Sequence, residues 1–118
     1  MAQRSVQAAF NNQTSQTLQN VSSNLAHGIW GIAPPPTIPA NQTVNWESES
    51  NGFMTGVQGD AIYSVQGQSS ILTTLNWDNP FAGSSSYFGN VNNSAYTLTT
   101  TIVQDGNNAS ILYTLTSS

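Results

Sequence analysis

The sequence predicts an all-β protein, an antiparallel two-sheet β-sandwich of about seven or eight strands. Three observations lead there. Asn, Gln, Ser and Thr make up 53 of the 118 residues, against no Lys, two Glu and one Arg. Thr suits a pleated surface, while Asn and Ser favour turns and compete with a helix backbone for hydrogen bonds. Apolar and polar residues alternate at period two in segment after segment, and turn chemistry separates the segments. The modest apolar content includes three Trp, four Tyr and four Phe, whose large buried areas suffice for one core in a single domain spanning residues 1–118.

Each element follows from its pattern. Val6, Ala8 and Phe10 alternate with Ser5, Gln7 and Ala9 in a first strand, and Asn11-Asn12-Gln13 reads as a polar turn. From Gln16 to Leu25 the spacing of Leu18, Val21 and Leu25 also fits a helix. Thr17, Asn20, Ser22, Ser23 and Asn24 make a helix poor there, so the segment reads as a strand with a bulge. Ile29-Trp30-Gly31-Ile32 runs into Pro34-Pro35-Pro36, an extended stretch without N–H donors that suits a crossing between sheets. Val44 and Trp46 belong to the next strand, and Asn51-Gly52 is a strong turn signal. Ala61, Tyr63 and Val65 alternate, Gly67-Gln68-Ser69 turns the chain, and Ile71 to Trp77 is the most apolar strand, expected to be central. Asp78 to Asn93 reads as a long loop. Tyr96, Leu98, Thr100 and Ile102 then pair through the Asp105-Gly106 turn with Ile111, Tyr113 and Leu115. Barrel-like closure is the alternative that this pattern leaves open. No internal repeat supports a propeller or trefoil.

Charge narrows the partners. Five carboxylates face a single Arg, for a net charge of −4. With Arg4 as the one permanent cation, binding to a nucleic-acid backbone by counterion release has nothing to act through. Anionic lipid surfaces, which recruit polybasic segments, are disfavoured for the same reason. A membrane target would carry neutral or zwitterionic head groups. Cysteine is absent, which removes disulfides, thiol chemistry and Cys-based metal sites. The first residues lack the apolar run of a secretory signal, and no segment reaches the ~20 apolar residues of a spanning helix. The expectation is a protein made in soluble form, cytoplasmic or exported by a non-classical route.

Catalysis is poorly supplied, and the reading is not an enzyme. His27 is the one imidazole, no nucleophile-elbow motif is present, and a His beside Gly is more often a turn residue. Glu47 and Glu49 sit two apart on one strand face. Paired carboxylates can hydrolyse glycosides, but two solvated charges on an outer face are the commoner meaning. Asp60, Asp78 and Asp105 fall in turns without calcium-loop spacing, so no metal or cofactor is expected.

The aromatic residues carry more. Trp30, Trp46 and Trp77 lie at or near strand ends, and Phe53, Phe81, Tyr87 and Phe88 are placed in loops. Core packing accounts for Trp46 and Trp77 at least as readily as ligand contact does. Loop aromatics flanked by Gly and Ser are harder to bury, and exposed Trp and Tyr serve as stacking platforms for sugars or anchors at a membrane interface. The candidate ligand-binding set is Trp30, Trp46, Trp77, Asp78, Phe81 and Tyr87. The ligand classes it suits are a lipid head group and a glycan.

The order of features resembles the aegerolysins, including their bacterial crystal-protein branch. Asn12-Gln13-Thr14 follows the first strand, Gly28-Ile29-Trp30 precedes a Pro-rich connection from Pro34 to Pro39, and Ser50-Asn51-Gly52-Phe53-Met54-Thr55-Gly56-Val57-Gln58-Gly59 comes next. Trp77-Asp78-Asn79-Pro80-Phe81 and a final hairpin complete the series, which spans nearly the whole chain. Phe81 stands where the family often has Trp, and Asn79 where it often has Cys. The resemblance implies an acidic β-sandwich that binds sphingolipid-containing membranes, and a larger pore-forming partner in a cytolytic pair. The other readings are a small glycan-binding lectin and a structural or developmental surface protein.

Overall fold

Ten strands build two five-stranded sheets, and the computed structural model describes residues 3–118. In chain order they are β1 (Ser5–Gln13), β2 (Leu18–His27), β3 (Ile29–Ile32), β4 (Thr37–Ile38), β5 (Gln42–Glu49), β6 (Val57–Val65), β7 (Gln68–Asn79), β8 (Ser86–Val91), β9 (Tyr96–Gln104) and β10 (Asn108–Ser117). The first sheet runs β3-β5-β1-β10-β9 and the second β4-β2-β6-β7-β8. Pairing is antiparallel except between β1 and β10, which lie parallel from Ser5 opposite Asn108 to Gln13 opposite Thr116. The β-sandwich is therefore as expected, with two or three more strands than the alternation alone marks out. The additions are the short edge strand β4 and β8.

Period-two alternation explains the core. Val6, Ala8 and Phe10 of β1, Ala61, Tyr63 and Val65 of β6, Leu75 and Trp77 of β7, and Ala109, Ile111, Tyr113 and Leu115 of β10 are all buried in one cluster between the sheets. Trp46 lies at its centre, with ring centroids 6.5 Å from Tyr63, 6.3 Å from Tyr113 and 5.9 Å from Trp77. The Tyr63 hydroxyl donates to the Pro35 carbonyl at 2.6 Å and that of Tyr113 to the Asn76 carbonyl at 2.7 Å. Both polar tips are thus satisfied, as burial requires.

Several local expectations hold and three do not. The bulge in β2 is present, with register shifts at Asn20/Ser22 and Leu25/His27. The Pro-rich stretch carries the chain from β3 in the first sheet to β4 in the second. β7 is internal, one strand in from the edge, while β6 holds the centre of its sheet. Asn11-Asn12-Gln13 is not a turn but the end of β1. Asn12 is fully buried there, donating to the carbonyls of Gln16, Ile38 and Pro39 while its Oδ1 accepts from the Thr14 hydroxyl at 2.7 Å. A side chain that substitutes for so many backbone partners lets the strand run on where polar residues suggested a stop. The supposed loop from Asp78 to Asn93 shrinks to six residues, 80–85, because β7 continues to Asn79 and β8 pairs with it.

Candidate functional site

One end of the sandwich gathers the loops that carry the unusual residues. The register places the starts of β1, β6, β8 and β10 and the ends of β2, β5, β7 and β9 together there. Asn79 closes this end from inside. Its side-chain amide donates to the carbonyls of Ser5, Gly106 and Asn107 at 3.2, 3.0 and 3.1 Å, tying the end of β7 to the other sheet. Asp78, one residue earlier, points the opposite way, since successive strand side chains alternate faces.

Outside this seal lies a cleft of about 390 Å³, lined by His27, Met54, Thr55, Gln58, Asp78, Pro80 and Phe81 among others. Arg4 forms part of its frame. Its guanidinium sits 4.8 Å from the Phe81 ring centroid, and it donates to the carbonyls of Pro80 (3.2 Å), Phe81 (2.7 Å) and Gln3 (2.8 Å). Three of its five N–H groups are thereby engaged with the protein itself. The Ser50 hydroxyl oxygen accepts from the backbone N–H groups of Gln3 and Arg4 at 3.1 and 3.0 Å, fixing the segment that presents Arg4.

The other wall is the loop between β5 and β6. It is pressed against the Pro80–Phe81 backbone at Gly56, where a Cβ would come within 2.7 Å of Pro80 Cα and 2.8 Å of Phe81 N. Only glycine allows that approach. At the loop tip Gly52 has φ +121° and Met54 φ +58°. The left-handed conformation costs a residue with a Cβ about 1–2 kcal/mol, and here it turns Met54 outward. The Met54 N–H donates to Gln3 Oε1 at 2.8 Å, and the Thr55 hydroxyl donates to the Gly52 carbonyl at 2.9 Å.

The six expected binding residues divide. Asp78 and Phe81 meet on the cleft, both part-exposed. Trp46 and Trp77 do not reach a surface: they are 0% and 1% exposed and pack against each other in the core with their rings tilted by 49°. Both occupy the inward register, as Val44 and Leu75 two residues earlier already imply. Trp30 is half-buried on edge strand β3, edge-on to Trp77 at 6.0 Å, and Tyr87 is half-buried on β8 in register with Trp77. Trp77 thus separates Trp30 from Tyr87, and neither lines the cleft. Tyr87 and Phe88 belong to a strand rather than a loop. Sequence reasoning left out His27, Gln58 and above all the 50–56 loop. Its signal was two adjacent apolar residues, Phe53 and Met54, between glycines, with no strand alternation to bury them.

Chemically, the cleft offers the Asp78 carboxylate, the His27 imidazole, the Gln58 amide, the Thr55 hydroxyl, the Met54 thioether and the Phe81 ring. Those groups accept and donate hydrogen bonds and can hold apolar or cationic moieties.

Comparison with solved structures places this architecture. The lipid binding protein Nakanori superposes with a TM-score of 0.82 over 100% of this chain and 73% of its own, at 14% identity. This chain has the Nakanori fold. RahU, solved in complex with a TRIS molecule, gives 0.79 over 100% of this chain and 98% of its own, at 12% identity. IP-1A from Alcaligenes faecalis gives 0.76 over 99% and 93%, at 13% identity. No protein-family model matches the chain. An uncharacterized protein of Dictyostelium discoideum is 39% identical over 64 residues, a stretch that is 54% of this chain and 6% of that protein. At such low identity the likeness is one of fold.

Proposed function

We propose that this chain is an aegerolysin-like protein that recognises a membrane lipid of sphingolipid type, with a neutral or zwitterionic head group, as the lipid-recognition member of a cytolytic pair. The observation that carries the reading is the cleft at the loop-rich end, where the Asp78 carboxylate and the Phe81 ring stand together on a fold shared with a lipid binding protein. Asp78 accepts hydrogen bonds from head-group hydroxyls or attracts a quaternary ammonium, and Phe81 offers apolar contact. The net charge of −4, with Arg4 engaged by three carbonyls, supports selection against anionic lipids.

The test is sedimentation with vesicles of sphingomyelin and cholesterol, of phosphatidylcholine, and of phosphatidylserine. Binding is expected to the first and not to the last. Asp78→Asn and Phe81→Ala should each weaken it while leaving the protein folded. Binding to a glycan array without binding to any vesicle would replace this reading with the lectin one.

A further inference from the structure

We infer that the turn formed by Phe53 and Met54 is a preformed wedge that enters the interfacial layer of a zwitterionic bilayer when the neighbouring cleft engages a head group. The inference rests on the lipid-binding reading above and adds to it a second surface and a mode of attachment.

The first observation is exposure. Phe53 is 82% and Met54 56% exposed, adjacent in sequence and together at the end of a loop. A water-facing phenylalanine is ordinary in isolation, but this pair is held out by its backbone. Gly52 and Met54 both have positive φ, and Met54 adopts that conformation although it has a Cβ. The Gln3 and Thr55 side chains secure the turn by hydrogen bonds, and Gly56 locks its base against Pro80 and Phe81. Strain that the surroundings maintain in order to display an apolar side chain points to a contact made by that side chain.

The second observation is placement. The turn stands between two depressions. One is the cleft with Asp78 and Phe81; the other, about 420 Å³, is lined by Gln3, Ile29, Glu49, Ser50 and Phe53. Met54 lines the first and Phe53 the second, so the pair forms the ridge between them. A head group seated beside Asp78 would bring the ridge against the bilayer surface, since Met54 lines the same cleft.

The third is charge. Glu49 and Asp78 flank the ridge on its two sides, and the nearby cation, Arg4, is spent on carbonyl oxygens. Carboxylates beside an apolar tip oppose anionic lipid and complement the outward ammonium of a choline or ethanolamine head group. The occupant that fits an apolar ridge with acidic shoulders is therefore the zwitterionic membrane surface rather than an acidic one.

The absence of cysteine makes a direct test available. Met54→Cys introduces a unique thiol for a nitrobenzoxadiazole label at the ridge, and Gln66→Cys does the same in the β6–β7 turn, roughly 26 Å away at the opposite end of β6. On vesicles of sphingomyelin and cholesterol the label at position 54 should shift to the blue and gain intensity, while that at 66 stays as in buffer. Phe53→Ser should weaken vesicle binding roughly ten- to a hundredfold, the effect of withholding one large apolar side chain from burial, with the melting temperature unchanged. If the protein binds these vesicles in an Asp78-dependent manner but the position-54 label does not respond and Phe53→Ser binds normally, the wedge is wrong and the lipid reading stands. If Phe53→Ser instead converts a dimer to a monomer in gel filtration without affecting vesicle binding, the ridge is a self-association surface and the wedge is likewise wrong. If no vesicle is bound by the unmodified chain, the lipid reading fails and the wedge with it.

Discussion

Trp77 donates its indole N–H to the Ser48 hydroxyl at 3.0 Å, joining β7 of one sheet to β5 of the other through the buried interior. Both residues are 1% exposed. Most of what holds the sheets together is non-directional apolar contact, so this bond specifies how one sheet sits on the other. Ser48→Ala would strand a buried donor, and the expected loss is about 1–3 kcal/mol, measured as a lower midpoint in urea unfolding. Trp77→Phe in the same background should show a cost smaller than in the wild type, because the stranded donor goes with the indole.

Arg4 gives a second expectation. Its bonds to the Pro80 and Phe81 carbonyls and its place over the Phe81 ring bind the residues preceding β1 to the β7–β8 loop. Arg4→Ala should lower stability by about 1–3 kcal/mol in urea unfolding, and should raise exchange of the amides in residues 81–85. Arg4→Lys keeps the charge but cannot span two carbonyls with a planar fork. It should recover only a minor part of the loss, which would show that geometry rather than charge fixes this loop.

The tyrosines predict an alkaline limit. Burial raises the pKa of Tyr63, Tyr113 and Tyr87 above the ordinary value of 10.0. In the unfolded chain these phenols lose their protons near pH 10, whereas in the native state they keep them. Over that window the native state binds more protons than the unfolded one, so stability falls as pH rises. Melting temperature should be insensitive to tyrosine ionisation below about pH 9 and decline above pH 10. Absorbance at 295 nm in the native protein should lag behind that of the urea-unfolded chain. Tyr87, whose buried hydroxyl makes no hydrogen bond of good geometry among the described residues, adds a contrast: Tyr87→Phe should change stability by no more than about 1 kcal/mol.

How far the sequence could be read depends on whether the deciding interaction is local. Alternation in β1, β6 and β10 named the inward residues correctly, since burial follows a two-residue period wherever one sheet face is covered. β8 escaped because its inward row is Tyr87, Gly89 and Val91, and the middle member shows no hydrophobicity. Gly89 is there for a physical reason: a Cβ would lie 2.5 Å from Leu98 Cδ2, so the facing leucine fills the space a side chain would need. The Asn12 hub was hidden for the converse reason, a polar side chain occupying a core position because its partners come from Gln16, Ile38 and Pro39. At the site, the Trp-Asp-Asn-Pro-Phe stretch pointed to Asp78 and Phe81. Strand alternation within it also meant that Trp77 and Asp78 could not share a surface. Phe53 and Met54 carried a local signal as adjacent apolar residues between glycines, but their place beside Pro80 and Phe81 depends on the packing of Gly56, a contact no local pattern announces.

The parallel pairing of β1 with β10 sets an order of events for the chain as it is made. Ser5 meets Asn108 and Gln13 meets Thr116, so the middle of the first sheet joins segments separated by about as much sequence as the whole sandwich contains. Until β10 leaves the ribosome, β1 has β5 on one flank and an open row of peptide groups on the other, and β9 has no strand to pair with in its sheet. Closure of that sheet therefore waits on β10, and contacts of such long range place folding on the millisecond-to-second scale rather than the microsecond one. During that interval the nascent chain carries the edges most open to pairing with another molecule. A chain ending before β10 would keep them permanently.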